Sequence, residues 1–166
     1  MKSFREEVLA LTKELVQHPS IVGTIGERDI AYKIYDLLKQ IPYFKDHPAY
    51  LRLVPTEGDD RERYNVFALV KGAKKPKKET IILMGHMDTV GIEDYGKWKS
   101  LAFSPDALAE RLRHGKVKES VRKDLESGEW MFGRGSVDMK SGVASHLALI
   151  RHFASQPNSL NGNVLL

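Results

Sequence analysis

The chain has 166 residues, no cysteine and a formal net charge of +4, with 42% hydrophobic and 29% charged residues. That length carries a real core, burying roughly 70% of the unfolded surface, and the missing cysteine excludes a disulfide framework and a thiol nucleophile. No apolar run approaches the roughly 20 residues that cross a membrane, and Glu6, Glu7 and Glu14 interrupt the start where a secretory signal would be apolar, so a cytoplasmic protein with no membrane partner is the simplest reading.

Taken in chain order, Ser3 followed by Glu6 has the form of a capping box. Phe4, Val8, Leu11 and Leu15 then share one helical face, in a helix that ends before Pro19. A second helix is predicted from about Glu27 to Ile41, with Ile30, Ile34, Leu37, Leu38 and Ile41 inward and Pro42 as its stop. Three strands follow at Tyr50–Val54, Asn65–Lys71 and Thr80–Met84, the last reading as a buried strand. Between the latter two, KGAKKPKKE at 71–79 holds most of the visible basic excess and reads as a solvated hairpin loop. A nucleic-acid surface would repeat its basic residues across elements and interleave aromatic ones, so no nucleic acid is expected as a partner.

Residues 91–128 form a polar, helical excursion between core elements. Ser104-Pro105 supplies an N-cap and first-turn pair for a helix over Asp106–Arg113. Another helix spans Lys116–Ser127 and closes at Gly128. The chain returns with a short strand at Trp130–Phe132, a glycine-rich turn, a helix from Ser141 to about Ser155 and a final apolar strand, NVLL. This order predicts an α/β fold, a mixed β-sheet flanked by helices. Stopping inside an apolar strand leads us to expect a fragment, truncated before the second half of its domain.

Three residues carry the chemistry. His86 and Asp88 follow the third strand, where open sheets gather their ligands. In an extended chain, side chains two apart point the same way, so Asp88 can accept the free N–H of His86 as the carboxylate behind a metal-bound histidine does. On this pair alone, an unrelated loop histidine beside an aspartate is an equal reading. GRGSVDMKSG at 133–142 adds Asp138 at a second strand-to-helix junction. One imidazole and one carboxylate from two strand ends make a sensible beginning for zinc. Nucleotide binding fits less well. The P-loop pattern lacks its second glycine at Met139 and one residue of spacing, and Asp138 would set an anion beside phosphate.

GHMDTV followed by GRGSVDMKSGVA resembles the dinuclear zinc hydrolases that include acetylornithine deacetylase, succinyl-diaminopimelate desuccinylase, aminoacylase and the glutamate carboxypeptidases. QIPYF, the long excursion and DLESGEWMFGRG are most similar to the arginine-utilisation branch called RocB. The resemblance covers essentially the whole chain. It implies a zinc-exopeptidase-like catalytic domain of which residues 1–166 are the N-terminal portion, without the lid or dimerisation domain. It implies that His86 is a zinc ligand, that Asp88 is the catalytic acid orienting it, that Asp138 is the carboxylate bridging two zinc ions, and that the Asp138–Met139 peptide is cis.

The implied activity is metal-assisted hydrolysis of a small-molecule amide, a peptide or N-acyl amino acid, in amino-acid and specifically arginine metabolism. The family's Glu-Glu pair, general base and metal ligand, has no counterpart among these residues. The 166 residues alone are therefore expected to be inactive, to bind zinc weakly or not at all, and to self-associate through surfaces exposed by truncation. The alternative is a non-catalytic relative that keeps the fold to bind a metabolite or partner.

Overall fold

A computed structural model describes residues 3–74 and 79–166. Helix α1 (Phe4–Val16) starts at the expected capping box: Ser3 Oγ accepts from the Glu6 amide, and the Glu6 carboxylate accepts from the Ser3 amide at 2.7 Å. Helix α2 (Gly26–Lys39) buries Ile30, Ala31, Ile34, Leu37 and Leu38. Pro42 does more than stop it. Its fixed φ and missing N–H suit a first helical turn, and it opens a short α3 (Pro42–Asp46).

The sheet comprises β1 (Leu51–Pro55), β2 (Tyr64–Val70), β3 (Thr80–Ile82) and β4 (Asn163–Leu165), in the order β1-β2-β4-β3. β1 pairs with β2 and β2 with β4 antiparallel, whereas β3 and β4 run parallel, with Ile81 opposite Val164. The sheet is mixed, as predicted. The 71–79 segment is not a hairpin, because β4 lies between the strands it joins; Lys75 to Lys78 fall outside the described residues.

The buried character read for Ile81–Met84 is also corrected. β3 is an edge strand whose faces are largely open, leaving Ile81 64%, Ile82 58% and Met84 79% exposed. Apolar sequence shows what could be buried, while the sheet order decides what is.

Helix α6 (Ser141–Ser155) packs on α1 and β2, and α2 packs on β1 and β2. Leu11, Leu15, Ile34, Leu38, Val70, Leu147 and Ile150 meet in the shared core. The excursion carries α4 (Pro105–Arg113) and α5 (Glu119–Ser127), which bury Leu108, Leu112 and Leu125 in a second, smaller cluster. Ser104 occupies the N-cap position of α4, but its side chain makes no capping bond. Gly128 ends α5 with φ at +69°, as a helix-terminating glycine does.

The strand expected at Trp130–Phe132 is absent: the segment joins no ladder, Trp130 is 60% exposed, and Phe132 packs on the excursion's cluster instead. No described helix is long and apolar enough to cross a membrane.

Candidate metal centre

Two chain segments converge beyond the sheet. The first leaves β3 after Leu83, whose amide still donates to the Leu165 carbonyl at 2.8 Å. It carries His86 and Asp88 outward and is then strapped to the residues following α1. Ser20 Oγ donates to the Met87 carbonyl at 2.7 Å, the Thr89 amide to the Ser20 carbonyl at 2.8 Å, and the Val22 amide to the Thr89 carbonyl at 2.9 Å. Ile21 and Thr89 form a parallel bridge there.

The second segment is the glycine turn. Gly135 sits at φ +80°, where a side chain is strained, and a Cβ there would come within 2.7 Å of Thr89 Cγ2. The glycine thus admits the first segment against the second. Asp138 follows on the turn, and its peptide bond to Met139 is cis, as the resemblance implies.

His86 stands between the two aspartates. Its Nε2 lies 2.8 Å from Asp138 Oδ1, and its Nδ1 lies 3.3 Å from the Asp88 carbonyl oxygen and 3.4 Å from Asp88 Oδ1. The contact with Asp88 thus includes the main chain as well as the expected carboxylate. The Asp138 hydrogen bond is the main cause of a His86 pKa above its ordinary value; burial opposes it and the Asp88 charge adds to it. These residues face a cleft of about 230 Å³, lined also by Thr89, Arg134 and Ser136.

The donor set suits zinc, which takes imidazole nitrogen and carboxylate oxygen readily. Both side chains are accessible, His86 45% and Asp138 85% exposed. They are two donors, however. Among the described residues no group of three His, Asp or Glu side chains is placed to hold one ion.

Two neighbours escaped the sequence reading. Lys140 was given no role there, yet its side chain is 1% exposed, deep in the protein. Its Nζ donates to the Leu15 carbonyl at 3.0 Å and the His18 carbonyl at 2.6 Å, at the C-terminal end of α1. Burial lowers its pKa to about 8, while carbonyl acceptors at the negative end of a helix favour the ammonium form.

Arg134 binds both carboxylate oxygens of Asp94 and covers the Tyr95 ring at 5.1 Å, and its amide donates to the Ala102 carbonyl at 2.7 Å. The arginine holds the Asp94 pKa below its ordinary value. The excursion therefore has its own core but also backs the residue that walls the cleft. The available signal for both was position inside GRGSVDMKSG; nothing local revealed what each would touch.

The chain is 44% identical over 160 residues to Protein RocB of Bacillus subtilis, spanning 96% of this chain and 28% of that protein. It is 27% identical over 158 residues to succinyl-diaminopimelate desuccinylase of Coxiella burnetii, spanning 95% and 33%. Among solved structures, the di-peptidase Dug1p of Saccharomyces cerevisiae shares the fold, with a TM-score of 0.55 at 15% identity, over 97% of this chain and 31% of that one. The chain thus spans about a third or less of the length of these relatives. The model of peptidase family M20/M25/M40 matches residues 82–166, the half that carries His86, Asp88 and Asp138, and the chain belongs to that family.

Proposed function

We propose that residues 1–166 are the N-terminal portion of the catalytic domain of a zinc-dependent amide hydrolase. It would act in the cytoplasm on a small peptide or N-acyl amino acid, in amino-acid and specifically arginine metabolism. The observation that carries this reading is the 2.8 Å approach of His86 Nε2 to Asp138 Oδ1, with Nδ1 turned toward Asp88. Relatives named for desuccinylation and dipeptide cleavage give the substrate class its support; similarity to RocB supports the arginine link.

In this reading His86 binds zinc through Nε2 and Asp138 through its carboxylate. Asp88 holds the imidazole ring and favours the proton on Nδ1, leaving Nε2 free as a ligand. Two zinc ions are expected in the complete enzyme. Zinc, when bound, supplies Lewis-acid polarisation of the scissile carbonyl.

Asp88 and Asp138 are the carboxylates lining the cleft among the described residues, and both are occupied with His86. No third stands there to take a proton as general base. Residues 1–166 alone therefore bind zinc weakly and turn over nothing.

The test is zinc-dependent hydrolysis of N-acyl amino acids and dipeptides by a chain of the relatives' length, wild type against Asp138→Asn. We expect turnover in the wild type and its loss in the variant. Ligand binding without turnover in the wild type would favour the non-catalytic alternative.

A further inference from the structure

The segment Leu15–Val22 runs from the last residues of α1 toward α2 and presents no side chain to the cleft. Both arms of the site are nevertheless fastened to it. Lys140 reaches the Leu15 and His18 carbonyls, two residues after Asp138. The Lys140 amide also closes the glycine turn by donating to the Gly135 carbonyl at 3.0 Å. On the other arm, the fully buried Ser20 holds Met87, which lies between His86 and Asp88, through its hydroxyl, and holds Thr89 through its carbonyl.

Asp138 itself is largely exposed, and among the described residues its side chain bonds to His86. A single hydrogen bond exposed to competing water does little to fix two loops. Hydrogen bonds of a buried ammonium to helix-end carbonyls are stronger and cannot be exchanged for water.

We propose that Lys140 and Ser20 are positioning residues, which clamp the two arms to the end of α1 and so set the approach of Asp138 to His86. The inference rests on reading His86 and Asp138 as the metal pair. Its test requires neither metal nor turnover, so it can fail while that reading stands.

The experiment follows the imidazole nitrogen shifts of His86 by NMR in the metal-free chain. Asp138→Asn supplies the reference for a broken pair. In Lys140→Met, which keeps the bulk of the side chain and removes its donors, we expect the His86 Nε2 signal to move to that reference. Leu108→Ala, which loosens the remote excursion core, should leave the signal in place.

A folded Lys140→Met protein with the wild-type signal would overturn the proposal. So would a Leu108→Ala protein whose signal moves equally, because general loosening would then suffice. Should Lys140→Met fail to fold, Ser20→Ala decides: a moved signal supports the clamp, and an unchanged one overturns it.

Discussion

His86 Nε2 and Asp138 Oδ1 stand 2.8 Å apart although 52 residues separate them in the chain. Neither arm reaches that position through a regular element of its own. β3 ends four residues before His86, and α6 begins three residues after Asp138. The approach is made by tertiary bonds to the end of α1, a helix with no part in the chemistry.

Asp88 acts through His86. Removing a carboxylate behind a metal-bound histidine costs about 10–100-fold in metal affinity. Asp88→Asn in a chain of the relatives' length should lower zinc affinity by about that factor, read by competition with a chromophoric chelator. An unchanged affinity would assign the ring's support to the Asp88 main-chain carbonyl, 3.3 Å from Nδ1.

Gly135→Ala should destabilise the chain more than Gly58→Ala. Both glycines have positive φ, +80° and +68°, which costs a side chain roughly 1–2 kcal/mol. At Gly58 the added methyl meets nothing within 4 Å, whereas at Gly135 it meets Thr89. Urea unfolding of the two variants gives the difference, and equal losses would mean that Thr89 moves aside freely.

Asp59 gives the chain an acid-side stability dependence. Hydrogen bonds from Arg63 hold its carboxyl at about 2 against an ordinary 3.8, and its side chain is 7% exposed. Because the folded-state value is the lower one, the stabilisation is fully present above 3.8 and disappears as pH falls through about 2. Thermal midpoints between pH 2 and pH 5 should fall less steeply in Asp59→Asn than in the wild type.

β3 offers an open strand edge bearing Ile81 and Ile82, a combination that invites pairing between copies. We expect the 166-residue chain to self-associate, and Ile82→Lys to shift it toward monomer in light scattering. A wild-type chain that is monomeric at the same concentration would count against this.

Much of this was legible in local sequence. The Ser3–Glu6 box and the apolar stripe of α1 are short-range signals; the box forms as read, and the stripe buries Leu11 and Leu15 but leaves Phe4 exposed. His86 and Asp88 were legible because they follow an apolar run at a place where sheets gather ligands; Asp138 was legible through the glycine turn of GRGSVDMKSG, although the strand expected before it is absent, and the structure brings all three together. Strand order was not legible, since β4 pairs with β2 and β3 across long stretches of chain. That order in turn leaves Ile81, Ile82 and Met84 exposed, while Leu83 packs partly against the core. Lys140 misleads for a related reason: a lysine reads as solvated until its carbonyl partners, more than 120 residues away, are known.

The central claim, that His86 and Asp138 form the metal pair, is tested most directly by titrating zinc into the 166-residue chain while following all six histidine rings by NMR. The account predicts that His86 responds first, at Nε2, and that Asp138→Asn weakens its response. A first response at another histidine would contradict it.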